Sequence, residues 1–130
     1  MARGSRAIRL LADDLTGALD TAAQFARPGE PLRVTWRGGL AFDDAGSLAV
    51  DSGCREMPAP EASRRFAEMI DVLAQSPDRL SILKLDSLLR GHAGDEIATC
   101  ARRWPLRAII VAPAFPAERR VTRGGCQHWL

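Results

Sequence analysis

The sequence predicts an α/β protein: a three-layer, mostly parallel, doubly wound sheet of about five strands with helices on both faces. Two observations carry this. Short apolar runs alternate with amphipathic stretches along the whole chain, the order that builds crossover units and a parallel sheet. Proline and glycine then punctuate the joints, as at Pro28-Gly29, Gly38-Gly39, Pro58, Pro60 and Pro77.

Ala7 to Ala12 is a short, largely apolar run, the pattern of a strand buried on both faces. Asp14 or Thr16 can cap a helix from about Leu15 to Ala26, in which Leu15, Ala18, Leu19, Ala22 and Ala26 recur at three- and four-residue steps. "LRVTW" (32 to 36) alternates like a second strand, and "SLAVD" (47 to 51) is a third that ends in an acid. Pro58 and Pro60 open a helix with Ala62, Phe66, Met69, Ile70 and Leu73 on one face, and Pro77 follows it. "LSILKLD" (80 to 86) is a fourth strand, again ending in an acid, and a helix from about Ala93 to Arg103 comes next. "RAIIVAP" (107 to 113) is the expected fifth strand, and the tail "AFPAERRVTRGGCQHWL" has no evident partner element.

The chain has 130 residues, 46% hydrophobic and 26% charged, the length and balance of one globular domain. A net charge of +2 without a long basic block gives no reason to expect nucleic acid. Cys54, Cys100 and Cys126 are odd in number and widely spaced, so neither a disulfide framework nor structural zinc is expected. The start is positively charged, but its apolar run is broken by Arg9 and ends in acids, unlike a signal peptide, and no stretch approaches a membrane span. A cytoplasmic protein with no membrane partner is the expectation.

In an open parallel sheet, ligands sit outside the carboxyl ends of the strands. Each run delivers polar residues there: Asp13, Asp14 and Thr16; Asp51, Ser52 and Arg55; Asp86, Ser87 and Arg90; then Arg120, Thr122 and Arg123. Taken singly, these are helix caps, loop acids and solvated charge, since Asp, Ser and Thr are commonest in such places anyway. Four converging sets point instead to a site. It contains neither G-x-x-x-x-G-K-S/T nor G-x-G-x-x-G, hence no standard phosphate cradle. An ionised Asp is a pure acceptor and suits hydroxyls, while an arginine such as Arg90 or Arg55 offers the planar fork that grips a carboxylate. Together they describe a pocket for a small polyhydroxy acid. Lys84 stands out as the only lysine among 18 basic residues.

"ADDLTGALDTAAQFA", "KLDSLLRGHAGDEI" and "VAPAFPAERRVTRGG" resemble, in order, the signature segments of the four-carbon acid sugar kinase family, A-D-D-L-T-G-x-x-D-T, K-x-D-S-T-L-R-G-x-x-x-x-E and P-A-F-P-x-x-G-R-T-T. "VDSGCREMPAPEA" is similar to a looser family segment, D-T-x-S-R followed by a helix. The resemblance runs from about Ile8 to Gly125. It implies ATP-dependent phosphorylation of threonate, erythronate or 3-oxo-tetronate-like acids, with an N-terminal domain for the sugar acid and a separate domain for the nucleotide. Carried over position by position, it implies catalytic roles for Asp13 and Asp14. It implies substrate binding by Thr16, Arg55, Lys84, Asp86, Ser87, Arg90, Arg120 and Thr122, with no metal site in this part. Gly17, Asp20, Gly91, Pro113, Phe115 and Pro116 also match. Leu88, Cys54, Arg119 and Val121 depart from the pattern, replacing a threonine, a serine, a glycine and a threonine.

Residues 1–130 are therefore expected to be a partial N-terminal substrate-binding domain without the nucleotide-binding domain. ATP and magnesium belong to the complete kinase, and this chain alone is expected to be inactive. A separate nucleotide-binding domain or chain, and self-association through an uncovered sheet edge or the tail, are the partners expected besides the sugar acid. Two rival readings remain. A receiver-like signalling domain would use Asp13 with Asp14, Asp51 and Ser87, although Lys84 lies in the wrong strand for it. A small-acid-binding remnant would bind and do no chemistry.

Overall fold

The structure, a computed structural model, describes residues 7–36, 46–75, 80–104 and 106–130. Four strands, β1 (Ile8–Ala12), β2 (Arg33–Thr35), β3 (Leu48–Asp51) and β4 (Leu80–Lys84), form a parallel sheet in the order β2-β3-β1-β4. The helices are α1 (Leu15–Phe25), α2 (Ala59–Leu73) and α3 (Ala93–Arg103). β1 lies in the middle, as its unbroken apolar run requires, and its alternate residues feed two cores. Leu10 and Ala12 pack with Ala49, Ala18 and Ala22 on the α1 face. Leu11 packs with Leu48, Val50, Phe66, Met69, Ile70 and Cys100 on the face covered by α2 and α3. Helices thus cover both faces of the sheet, the three layers expected.

Local chemistry sets the helix starts. Asp14 is the N-cap of α1, and its carboxylate accepts from the Gly17 amide at 2.8 Å. Proline in the first turn of α2 leaves no needed amide unpaired. α3 carries Asp95 in its first turn and Arg102 and Arg103 in its last, complementing the helix dipole. The strand-ending Gly38-Gly39 and the helix-ending Pro77 lie outside the described residues.

Two expectations are corrected. Arg107 to Pro113 forms no strand, so the parallel sheet has four members and β4 is its edge. An apolar, β-branched run becomes a strand only where a neighbour takes its backbone hydrogen bonds, and this run is held elsewhere. Its far end is tied to the tail by the Gln127 amide on the Pro113 carbonyl and by paired backbone bonds between Phe115 and Arg120. Ile110 is consequently 91% exposed. The tail does have a partner: β5 (Arg120–Arg123) and β6 (Cys126–Trp129) form an antiparallel hairpin. Its two-residue turn is Gly124-Gly125, both at positive φ (56° and 78°), a conformation that glycine adopts without strain.

The strand order also separates this sheet from receiver domains. A receiver sheet runs 2-1-3-4-5, with the second strand beside the first. Here β3 takes that place and β2 moves outward.

Candidate functional site

Parallel register brings the candidate residues to one edge. Ala12 pairs with Asp51 on one side and Lys84 on the other, so Asp13, Ser52 and Asp86 leave the sheet at the same, carboxyl, end. The chain is sewn together there: the Ser52 amide donates to the Ala12 carbonyl at 2.8 Å and the Arg55 amide to that of Asp13 at 3.1 Å.

Asp13 is 2% exposed, and a carboxylate so enclosed needs a partner. Arg55 supplies it, donating from Nε to Oδ2 at 2.8 Å and from NH2 to Oδ1 at 2.7 Å. Its NH1 reaches Asp14 Oδ2 at 2.5 Å. These bonds to Asp13 raise the Arg55 pKa further above its ordinary value. Asp14 therefore does two jobs, capping α1 with one oxygen and holding Arg55 with the other. Gly91 explains how the next loop fits over this pair. It sits at φ 78°, and a Cβ there would lie 3.2 Å from Arg55 Cγ and 3.3 Å from its Cα.

A second carboxylate–arginine unit sits at the end of β4. Asp86 accepts from Arg90 Nε at 3.0 Å and NH2 at 2.7 Å, and from the amides of Leu88 at 3.0 Å and Arg90 at 3.3 Å. The hydrogen bonds from the Arg90 guanidinium hold its carboxyl well below the usual carboxylate range. The following residue, Ser87, anchors the hairpin: Arg120 NH1 donates to its Oγ at 2.6 Å and Gln127 Nε2 to its carbonyl at 2.7 Å. Lys84 Nζ donates to the Leu85 carbonyl at 2.7 Å.

A cavity of about 1340 Å³ opens over this edge and runs along β4 towards residues 106–115. Asp14, Thr16, Arg55, Lys84, Asp86, Ser87, Arg90 and Arg120 all line it. Two expected residues stand apart. Asp13 lies beneath the cavity as the buried base of the Arg55 unit, and Thr122 sits out on the hairpin, donating to Gln127 Oε1 at 2.7 Å. Asp51 keeps the loop-acid role, accepting from the Gly53 amide at 2.7 Å. Both forks that the sequence offers to a ligand carboxylate, on Arg55 and Arg90, are closed on the chain's own acids. Among the described residues no group of three or more His, Cys, Asp or Glu is placed to hold a metal ion, and no helix is long and apolar enough to cross a membrane.

Two further residues belong to this region. Glu96, in the first turn of α3, is 2% exposed, and neither carboxyl oxygen has a partner among the described residues. Burial, and then the charge of Asp13, push its pKa up to about 7. Its signal was in the sequence, as the closing glutamate of "KLDSLLRGHAGDEI". Gln127 bridges Ser87, Pro113 and Thr122. Nothing in the sequence marked it, because its partners meet only once the hairpin has folded.

The family departures are also placed. Cys54 is fully buried, its thiol against the Ser52 and Ala62 carbonyls at 3.8 and 3.7 Å. Leu88 contributes its amide to Asp86. Arg119 ends a short 3-10 turn, Pro116–Glu118, at φ 57° and ψ 26°, left-handed backbone that glycine adopts more cheaply.

Several known proteins resemble this chain. The D-threonate kinase of Cupriavidus necator is 40% identical over 121 residues, covering 90% of this chain and 28% of that enzyme. The D-erythronate kinase of Heliobacterium modesticaldum is 33% identical over 128 residues, covering 89% of this chain and 28% of that one. A crystal structure of a domain of unknown function from Bordetella bronchiseptica, a domain-swapped dimer with bound citrate, superposes with a TM-score of 0.82 at 34% identity. That match covers 97% of this chain and 34% of the other. The chain thus spans about a third, or less, of the length of these relatives. The family model for a sugar-binding N-terminal domain matches residues 8–129, and the chain belongs to that family.

Proposed function

We propose that this chain forms the sugar-acid-binding face of an ATP-dependent kinase that phosphorylates a four-carbon sugar acid of the threonate, erythronate or 3-oxo-tetronate type. The observation that carries the reading is the convergence of eight polar side chains, drawn from four separate segments, on one cavity at the carboxyl edge of the sheet. The names of the relatives, D-threonate and D-erythronate kinases, supply the substrate class. The citrate in the Bordetella bronchiseptica structure is likewise a small hydroxylated acid.

Asp13 and Asp14 divide the catalytic role. Asp13 is buried and fixes Arg55, while Asp14 reaches the cavity, where a carboxylate accepts a hydroxyl and can take its proton. Thr16, Lys84 and Ser87 offer hydrogen bonds to hydroxyls, and Arg55, Asp86 and Arg90 hold the two loops in shape around the ligand. Arg120 and Thr122 arrive with the hairpin. ATP supplies the phosphoryl group in a complete kinase, where the chemistry is mostly positioning and charge neutralisation. The residues described here do not fit a nucleotide: they form neither a glycine-rich cradle nor a cluster for magnesium. A nucleotide-binding domain or chain is the partner this reading requires. The domain-swapped dimers among the structural neighbours support homo-oligomers as well. Three free cysteines suit a reducing compartment, and we place the protein in the cytoplasm.

Titration calorimetry with D-threonate, D-erythronate and the neutral polyol erythritol tests the reading. At least one acid should bind about tenfold or more tightly than erythritol, the margin of a charge-assisted hydrogen-bond pair. Equal binding of acid and polyol, or none of either, would overturn it.

A further inference from the structure

Three arginines, Arg55, Arg90 and Arg120, line the cavity at the carboxyl ends of the strands, and they are not equivalent. Arg55 is closed on Asp13 and Asp14, and Arg90 on Asp86. Arg120 has no carboxylate partner among the described residues. Among those residues its only side-chain hydrogen bond runs from NH1 to Ser87 Oγ, and its enclosed Nε has no partner there. We propose that Arg120, acting with Ser87, grips the carboxylate of the sugar acid, and that Arg55 and Arg90 are braces that never read the ligand. This assignment rests on the sugar-acid reading above and divides its arginines by role.

The chemistry of the pair supports it. A serine hydroxyl has one proton and two lone pairs. Ser87 Oγ accepts from Arg120, so its own proton is left to donate. Arg120 and Ser87 therefore present donors side by side on the cavity wall, as a planar carboxylate requires. Arg120 is half-buried at the cavity wall with its Nε enclosed and, among the described residues, no carboxylate beside it, so a ligand anion there would supply the counter-charge it lacks. Closing Arg55 or Arg90 on a ligand would instead take from Asp13 or Asp86, both nearly fully buried, the guanidinium that balances its charge.

The hairpin holds Arg120 in place. Backbone bonds pair Arg120 with Phe115, donating at 3.1 Å and accepting at 2.8 Å. Register sets Arg120 opposite Trp129 in β6. Gln127, donating to the Ser87 carbonyl, locks the same hairpin onto the loop that carries Asp86 and Arg90. The arginine is thus delivered to Ser87 by a fixed frame, the preorganisation that specific recognition needs.

The test is calorimetry on the full 130-residue chain with D-threonate, erythritol and inorganic phosphate. Arg120→Leu should weaken D-threonate about tenfold or more while changing erythritol less than about twofold. Arg90→Leu should weaken both ligands by similar, smaller factors. If Arg120→Leu fails to fold, Arg120→Lys keeps the charge and loses the fork, and it should weaken the acid alone by about threefold to tenfold. Selective loss of the acid in Arg90→Leu, or equal loss of acid and polyol in the Arg120 variants, would overturn the assignment. So would phosphate binding more tightly than D-threonate and depending on Arg120, which would make Arg120 a phosphoryl contact. Wild-type protein that binds neither acid nor polyol would remove the sugar-acid reading itself, and the assignment with it.

Discussion

Arg55 closes on Asp13 with two parallel hydrogen bonds, Nε to Oδ2 at 2.8 Å and NH2 to Oδ1 at 2.7 Å, joining the end of β1 to the loop after β3. Asp13 is 2% exposed, so removing its partner leaves an uncompensated charge in the interior. Arg55→Leu should therefore destabilise the chain by about 3 to 5 kcal/mol, the usual consequence of breaking a buried pair from one side. Urea unfolding measures it; a loss below about 1 kcal/mol would mean that Asp13 finds water or another donor.

Glu96 makes a prediction about pH. Its carboxyl is pushed from an ordinary 4.5 up to about 7 by burial and by the charge of Asp13. The folded state thus holds a proton that the unfolded state releases, and the contribution of this residue to stability falls as pH rises from about 4.5 to 7 and levels off above. Arg55 and His92 act against this shift, while Asp95 adds to it. Glu96→Gln mimics the protonated form and should gain on wild type across that window, by up to about 3 kcal/mol at its upper end. Asp86 contributes in the opposite direction. Held below its ordinary 3.8 chiefly by Arg90, it supports the fold above that value and loses its contribution as pH drops further. Parallel stability–pH curves for wild type and Glu96→Gln would show that Glu96 finds a partner in solution.

Arg119 occupies left-handed backbone at φ 57°, where the family segment has glycine. Arg119→Gly should stabilise the hairpin region by about 0.5 to 1 kcal/mol, because relief of the Cβ clash outweighs the extra freedom of glycine in the unfolded chain. Thermal unfolding should show a rise of about 2 to 5 °C. A fall would mean that the arginine side chain makes a compensating contact.

Much of this architecture is legible in the sequence because periodicity and capping act locally. β1, α1 and α3 could be read from apolar spacing, the Asp14 cap and the charges at the helix ends. The shared edge followed from parallel topology alone, since parallel strands must all point their carboxyl ends one way. Residues 107 to 113 show where such reading fails. Isoleucine and valine report a preference for strand, but pairing depends on which neighbour is present, a tertiary fact. The hairpin was legible and missed: Gly124-Gly125 between two four-residue runs is a turn signal. Within the site, residue types pointed to the right edge of the sheet. Whether an arginine faces a ligand or a neighbouring aspartate depends on side-chain geometry that spacing does not carry.

The uncovered apolar surface leads to a prediction of self-association. Ile110 is 91% exposed, Trp129 74%, Val111 and Leu130 50% each, and among the described residues β4 has a strand on one side only. An open strand edge beside an extended apolar segment favours pairing with a second copy. Light scattering at rising concentration should show a dimer or larger species, and Ile110→Lys should shift it towards monomer. A clean monomer at high concentration would show that residues 107 to 113 fold back and cover themselves.

The most direct test of the central claim, that the carboxyl edge of this sheet binds a four-carbon sugar acid, is a nuclear magnetic resonance titration of the isotope-labelled chain with D-threonate. Saturable amide shifts should cluster at Asp14 to Gly17, Gly53 to Arg55, Lys84 to Gly91 and Arg119 to Thr122, with the β2 edge and the far end of α2 unmoved. Shifts confined to other surfaces, or none at millimolar D-threonate, would contradict the account.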